Sequence, residues 1–430
     1  MKKKNNILII GSGAREHALG WKFKQSPRID KIYFAPGTAG TELIGKTTNI
    51  AFSDIPSLIT FAKENAIDLT VAGPDDALAA GVVNSFQDNG LNIFGPTKEA
   101  AQIESSKAFA KKIMQEENIP TATYQTFTSF TKAKNYLQKQ SLPIVIKASG
   151  LALGKGVIIA QTKEAAEKTL EDILIKKVFG DAGKEVIIEE FLIGPEISIH
   201  AFSDGENVSL FPAARDHKPI FEGNHGPNTG GMGTIAPLPE ITDEQLEEIK
   251  KTIVLPIIQG LKKRGMPFVG CLYPGLILTK EGPKVLEFNA RFGDPEMESY
   301  MRLLETDILD ILIACTEGKL NKQRIIWSIQ AACCIVLASA GYPVTSHKGD
   351  VIKGLEKVGK QKDIVVFHFA TKKVQGVMRT NGGRVLGVTA VGKNLDEAVD
   401  KAYAAIGKDG IHFAWMQYRK DIGRIKKSKI

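Results

Sequence analysis

VLEFNARFGDPE, residues 285–296, is the stretch around which the rest of the chain can be organised. Val285, Leu286 and Phe288 read as a buried strand. Glu287 and Asn289 stand two apart and project from one face of it. Two oxygen ligands on one face suit a hard cation such as Mg²⁺, which commonly arrives carrying a polyphosphate. Arg291 continues that face, where a guanidinium can clamp a phosphate or a carboxylate through two parallel hydrogen bonds. Gly293, Asp294 and Pro295 end the strand. Taken alone, Glu287 would pass for an ordinary surface carboxylate, so the surrounding chain has to decide.

Immediately upstream, FVGCLYPGLILT is expected to pair with PKVLEFNARF across the turn KEGP. Before it comes a helix, ITDEQLEEIKKTIVLPIIQGLKKRG, interrupted by Pro256, and before that the irregular stretch 216–239, DHKPIFEGNHGPNTGGMGTIAPLP. A loop of that length inside a compact domain is usually functional or disordered, and its amide, imidazole and glycine content favours a substrate loop. Further upstream, EVIIEEFLIGPE supplies apolar walls, backbone and carboxylates of the kind an adenosine needs. IVIKASGLALGKGVIIA, residues 144–160, reads as strand, Gly-rich loop, strand, with Lys147 ending the first strand and Gly150, Gly154 and Gly156 around Lys155. Backbone N–H groups of such a loop can cover phosphates, with lysine as counter-charge. It is not the GxxxxGK[ST] loop, since Gly156 follows Lys155 and a strand rather than a helix comes next. A hairpin lid over a nucleotide is the expected geometry.

The chain has 430 residues, room for roughly three domains, and a hydrophobic fraction of 43%, ordinary for a globular protein. No apolar run reaches the ~18–20 residues that span a bilayer, and the N-terminal ILII is too short for a secretion signal. A soluble cytoplasmic protein with no membrane partner is expected. Four cysteines show no metal or disulfide spacing, and Cys333-Cys334 reads as small core filler. The net charge of +8 is not interleaved with stacking aromatics, so no nucleic-acid partner is expected, and an excess of cation suits phosphorylated metabolites.

Residues 7–19, ILIIGSGAREHAL, open the chain as strand, glycine turn and helix, with Gly11 and Gly13 allowing an anion to approach the helix N-terminus. Arg15, Glu16 and His17 stand where a ligand phosphate would arrive. A nicotinamide-dependent oxidoreductase could begin this way, yet Asp30 precedes the strand KIYFA instead of ending it, so no acidic residue is placed for a ribose. Alternating strands and helices follow, DALAAGVVNSFQDN being one of the helices, and predict a doubly wound parallel sheet. Its loop GPDD, residues 73–76, leaves the end of a strand. The helix SKAFAKKIMQEENI begins the next unit, with Lys107 in its first turn. After the helix EMESYMRLLETDILDILIACTEG, a small α+β unit follows, with expected strands QAACCIVLAS, IVVFHFAT, VMRTNGGRVLGVTAVG and IHFAWMQY and a hairpin signal at Asn381-Gly382. His368 alternates with Phe367 and Phe369 and reads as structural.

A Gly/Lys lid, an EE-x-L hinge and a late strand with Glu-x-Asn resemble the ATP-grasp ligases. GSGAREHAL, HGPNTGGMG and LEFNARFGDPE, together with TNGGRVLGVTAVG and RKDIG, resemble the phosphoribosylamine–glycine ligase (glycinamide ribonucleotide synthetase) family from end to end. The resemblance implies an α/β chain divided into an N-terminal domain (1–104), ATP-grasp domains with a mobile lid (105–322, lid about 122–192) and a C-terminal α+β domain (323–430). It implies ATP, glycine and 5-phosphoribosylamine as substrates, Mg²⁺ or Mn²⁺ as metal, glycyl phosphate as intermediate and a monomer. Glu287 and Asn289 would hold the metal. Lys107, Lys147 and Lys155, with Gly154 and Gly156 of the lid, would meet the phosphates. Glu189, Glu190, Leu192 and Glu196 would hold adenine and ribose. Arg291, Lys147 and Lys155 are the expected catalytic residues. Gly11, Gly13, Arg15, Glu16, His17, Gly73, Pro74, Asp75, Asp216, Asn228, Thr229, Gly230, Gly231, Arg291, Asp294 and Glu296 would surround the other substrates.

The chain departs from that pattern at Ser149 and Leu153 in the lid, at Asp75, Asp76 and Ala77 in the first domain, in the segment PIFEGNH and at Met297-Glu298. Glu298 in place of the usual Gln is expected to bring a negative charge near an anionic substrate. A diverged ATP-grasp ligase joining another acid and amine is the alternative reading. A nucleotide-binding regulatory protein is disfavoured by intact Lys147, Glu287, Asn289 and Arg291.

Overall fold

A computed structural model describes residues 4–152 and 156–424. Its N-terminal sheet is fully parallel, in the order Lys46–Thr47, Ile29–Pro36, Asn5–Gly11, Leu69–Ala72, Ile93–Phe94. Ile7 to Ile10 are solvent-free on both faces, as the uninterrupted apolar run requires of a central parallel strand. The strand order reverses between Asn5–Gly11 and Leu69–Ala72, so the loops after Gly11 and Ala72 open a crevice at the carboxyl edge of the sheet. The expected single helix after Leu69–Ala72 is two, Asp75–Ala80 and Val82–Asp88. Gly81 takes φ +91° between them, a left-handed conformation that breaks a helix.

The central region holds two sheets. The lid sheet runs Tyr124–Phe127, Val186–Glu190, Ile144–Ala148, Val157–Ala160, and is backed by the helices Phe130–Leu137 and Lys163–Leu174. It has its own core, built from residues such as Ile146, Leu170 and Ile188. The second sheet centres on the long strand Val269–Thr279, whose neighbours are Glu196–Ser198, Ala201–Asp204 and Gly282–Asn289. The expected hairpin across KEGP is present. The helix bearing Pro256 is interrupted as expected: Asp243–Ile249 passes through a π turn, Lys250–Val254, into Leu255–Lys263, which absorbs the N–H that proline lacks. The helix after residue 295 is split into Glu296–Leu303 and Ile308–Thr316, the second capped by Asp307.

The C-terminal sheet is antiparallel through Ala331–Ala338, Arg384–Gly392 and Ile364–His368. It also recruits Gly233–Ala236 and Arg215–Asp216 from the irregular stretch, which is therefore partly ordered as strands. Two expectations fail here. The hairpin turn is not at Asn381-Gly382: Val377–Thr380 pairs with Thr371–Val374 across Gln375 and Gly376, both at positive φ. IHFAWMQY forms only isolated bridges, and Trp415 is 79% exposed at φ +54°. All four cysteines are buried, the pair Cys333-Cys334 as its reading as core filler expected.

Candidate active site

The strand Gly282–Asn289 carries a bulge at its centre. Gly275 pairs with Glu287 and Leu276 with Val285, leaving Leu286 without a partner. The bulge turns Val285 into the core while Glu287 and Asn289 face the cleft. It also frees the Leu286 carbonyl, which accepts from Lys147 Nζ at 3.0 Å. Asn289 donates to the Tyr273 carbonyl at 3.3 Å, and its Oδ1 accepts from Arg291 at 3.1 Å. The cleft beside them is lined by Lys107, Lys111, Lys147, Leu286 and Glu287, among others.

Charge dominates this cleft. Burial opposes ionisation of Glu287, but Lys218, Lys107, Lys147 and Arg291 outweigh it and draw its pKa down to about 2. Lys218 Nζ is 3.5 Å from Glu287 and 3.8 Å from Glu196, and this acidic company raises its pKa against the effect of burial. Arg291 is fixed from behind by Glu104, 3.2 Å away. Glu104 also accepts the Ala290 N–H at 2.7 Å. The carboxylate and the side-chain oxygen of Asn289 form a hard-oxygen donor pair, and the adjoining lysines a cationic cradle, which together fit a divalent cation carrying phosphate. No cluster of three or more acidic, His or Cys ligands occurs among the described residues. Such an ion would therefore complete its shell with phosphate oxygens and water.

The hinge is arranged differently from the sequence reading. Glu189 is 3% exposed and shared by two lysines: Lys147 on one carboxylate oxygen and Lys111, at 2.7 Å, on the other. Burial opposes its charge, yet Lys147 and Lys111 together hold its pKa below the usual carboxylate value. Both oxygens of Glu189, expected with Glu190, Leu192 and Glu196 to hold adenine and ribose, are engaged by buried cations. Glu190 is exposed and accepts the Thr123 N–H at 2.8 Å. Leu192 is half-buried, and Glu196 is exposed toward Lys218. Lys107 reaches the Gly150 carbonyl at 3.4 Å, and Ser149 Oγ accepts the Ala108 N–H at 3.1 Å, so Ser149 fastens the lid base to helix Lys107–Glu116. A Cβ at Gly156 would stand 2.8 Å from that of Ala152. Gly154 and Lys155, with Leu153, lie outside the described residues.

At the N-terminal crevice, Glu16 folds back over the turn, accepting the Gly13 N–H at 2.6 Å and pairing with Arg15 at 2.6 Å. A Cβ at Gly11 or Gly73 would collide with this carboxylate, at 2.6 and 2.1 Å. Glu16 therefore braces the crevice floor. Arg15 also donates to the Phe292 carbonyl at 3.4 Å, tying the turn to the central strand. Pro74 and Asp75 open the helix Asp75–Ala80, and Asp75 adds negative potential at Arg291 and Glu104. His17, expected to border the substrate, packs toward the C-terminal unit. It is 4% exposed, its Nδ1 accepts the His368 N–H at 3.0 Å, and its ring meets Phe367 edge-on. It therefore joins the first helix to the C-terminal unit. His368 is buried against Thr371, as its alternation suggested.

The substrate loop closes on the same crevice. Thr229 bonds the Lys218 carbonyl through both its N–H and its hydroxyl. Gly231 sits at φ +109°, where a Cβ would strike Pro295 and Asp216. Asn228 is exposed. Gly230 donates to the Tyr342 hydroxyl at 2.9 Å, and its carbonyl accepts from Arg384 at 2.6 Å. Arg384 also pairs with Asp294 at 2.9 Å. Asp294 stands beside Gly13, with Oδ2 3.4 Å from where a Cβ there would lie. Glu296 is 1% exposed and accepts from Ser198 at 2.9 Å. Burial, reinforced by Glu296, raises the pKa of Asp216 despite Lys218 and Arg384. Glu298, expected to bring a negative charge near the substrate, is instead fully buried, and burial together with Asp294 raises its pKa and so favours its neutral form.

Lys218, Lys111, Glu104 and Arg384 escaped the sequence reading. Lys218 had a usable signal, a lysine two residues from Asp216 in the irregular stretch. Glu104, Lys111 and Arg384 act through packing across elements, which spacing does not display.

The chain is similar along its length to proteins of one activity. Residues 5–104, 105–297 and 332–425 match, in turn, the N domain, the ATP-grasp (A) domain and the C domain of phosphoribosylglycinamide synthetase. It is 47% identical to the phosphoribosylamine–glycine ligase of Vibrio vulnificus, with 97% of each chain covered. The chain belongs to the phosphoribosylglycinamide synthetase family. The ligase of that name from Caldanaerobacter subterraneus is also 47% identical, over 97% of this chain and 99% of its own. Among solved structures, the phosphoribosylamine–glycine ligase of Thermotoga maritima superposes with a TM-score of 0.83 at 33% identity, covering 97% of this chain and all of that one. Biotin carboxylase domains share the fold, with a TM-score of 0.75 at 15% identity for the one from Hydrogenobacter thermophilus. Within the family, the ATP-grasp match contains Glu287, Asn289 and Arg291 with Lys107, Lys147 and Lys218.

Proposed function

We propose that the chain joins glycine to 5-phosphoribosylamine at the expense of ATP, giving glycinamide ribonucleotide, ADP and phosphate in purine biosynthesis. The observation that carries this reading is the convergence of Glu287 and Asn289 with Lys107, Lys147, Lys218 and Arg291 on one cleft, beside a crevice closed by three parts of the chain.

The chemistry follows from the charge. A carboxylate is a poor electrophile, and transfer of the γ-phosphoryl group gives glycyl phosphate, whose phosphate the amine then displaces. Positioning and neutralisation of charge supply most of the catalysis. Glu287 and Asn289 would hold Mg²⁺ or Mn²⁺, which screens the phosphates. Lys147 and Lys107 meet the phosphates, and by family resemblance Lys155 would join them. Lys218, poised between Glu287 and Glu196, and Arg291, braced by Glu104, balance the transferring group. Glu190, Leu192 and Glu196 border the adenosine. The crevice of Gly11, Gly13, Arg15, Gly73 and Asp75, closed by Asp216, Thr229, Gly231 and Asp294, receives the amine substrate. A closed lid keeps water from the acyl phosphate. The matched segments meet at residue 104 and leave a second division between residues 297 and 332, a span that contains residue 322.

No helix among the described residues is long and apolar enough to cross a membrane. We place the enzyme in the cytoplasm as a monomer, which sedimentation of the full chain would test. The function itself is tested by chromatography of the products: glycinamide ribonucleotide should form only when ATP, glycine and phosphoribosylamine are all present. Equal turnover with a different acid or amine would overturn it.

A further inference from the structure

Lys111 has no part in the chemistry above, yet few cations in the chain are so enclosed. It lies one helical turn after Lys107 on helix Lys107–Glu116 and is 3% exposed. Its ammonium is 2.7 Å from Glu189 Oε2, donates to Thr121 Oγ1 at 2.7 Å and lies 5.1 Å from the centre of the Tyr124 ring. The other oxygen of Glu189 is paired with Lys147, which also donates to the Leu286 carbonyl. Two buried lysines thus share one buried carboxylate at the mouth of the phosphate cleft.

Phosphates entering that cleft compete with Glu189 for Lys147. If Lys147 were the sole partner of Glu189, drawing it away would strand a buried carboxylate, a heavily penalised state. Lys111 removes that penalty, because Glu189 keeps a cation whichever way Lys147 turns. We propose that Lys111 is a positioning residue that anchors Glu189, so that Lys147 can pass from Glu189 to the phosphates of the nucleotide. The proposal rests on the reading that Lys147 meets those phosphates. Thr121 carries the anchor further: its hydroxyl donates to the Val285 carbonyl at 2.7 Å, on the metal-site strand.

The test is steady-state kinetics of the full chain with ATP varied. Lys111→Met should raise the KM for ATP about tenfold or more, as loss of an orienting partner commonly does, while the KM for glycine stays level. Lys111→Arg should restore most of the loss. The double variant Lys111→Met/Glu189→Gln should return the KM for ATP toward the wild-type value, because Lys147 is then released. A merely structural role predicts a double variant no better than the single one, and that result would overturn the proposal, as would an unchanged KM in Lys111→Met. If the single variant does not fold, the double variant, which leaves Lys147 held by the Leu286 carbonyl and no buried carboxylate there, decides by the same criterion. Lys147→Met separates the two readings: an unchanged KM for ATP there defeats the assignment of Lys147 itself, whereas a raised KM there with none in Lys111→Met defeats this inference alone.

Discussion

Lys218 Nζ stands 3.5 Å from Glu287 Oε1, bringing the substrate loop and the metal-site strand into one ion pair. Lys218 therefore does two opposing things: it compensates charge in the phosphate cleft and it competes with a cation for Glu287. Lys218→Met should lower kcat by about a hundredfold. The Mg²⁺ concentration for half-maximal rate should not rise, since a competitor has been removed. Rates measured against Mg²⁺ check both halves of the expectation.

Glu287→Gln keeps the shape of the side chain and removes its charge. With the carboxyl held near pKa 2, the wild-type residue is ionised throughout the physiological range, so its protonation contributes no acid limb above about pH 4. The variant should lose activity by a factor of about 10² to 10³ at every pH from 6 to 9. A pH–rate series with Mg²⁺ and with Mn²⁺ tests this.

Glu298→Gln should stabilise the protein at neutral pH. Burial raises the folded pKa of Glu298, so between the unfolded and folded pKa values the folded state binds more proton than the unfolded chain. The contribution of Glu298 is therefore present below the unfolded value of about 4.3 and is lost as pH rises toward its folded pKa. The variant should melt about 2 °C or more above wild type at pH 8 and with no such gain at pH 4. Thermal melts at the two pH values give the comparison.

His17→Ala separates a structural role from a substrate role. The variant strands the His368 N–H in a buried site, a loss of roughly 1–3 kcal/mol. Burial, aided by His368, keeps the His17 pKa well below its ordinary value. The wild-type residue thus costs stability as pH falls below about 6.5, where the unfolded chain takes up a proton and the folded one does not. Denaturant titrations should show the variant weaker at pH 8, with the gap narrowing toward pH 5, and the KM for phosphoribosylamine changed less than the stability.

Periodicity exposed the parallel N-terminal sheet, because Ile7 to Ile10 and Leu69 to Ala72 are continuous apolar strands between turn residues. The two-residue spacing likewise put Glu287 and Asn289 on one face. Three kinds of feature stayed hidden. Leu286 looks like any apolar strand residue, and its bulge depends on the register with Gly275. His17 sits in a motif full of chemistry-bearing residues, but the helix turns it toward His368, far along the chain. Asn381-Gly382 is a strong turn signal that lost to Gln375-Gly376, since Arg384–Gly392 is taken up by two longer partner strands. Glu298 shows the converse: an acid in the sequence was buried, with its pKa raised, once the helix Glu296–Leu303 packed.

The central claim is that phosphoryl transfer in this cleft is coupled to joining glycine with phosphoribosylamine. Phosphate release measured with Mg²⁺ and ATP, with each of the other two substrates omitted in turn, tests it most directly. One phosphate should be released per glycinamide ribonucleotide formed, with negligible release when either substrate is missing. Sustained release without phosphoribosylamine, or equal release with another amino acid in place of glycine, would contradict it.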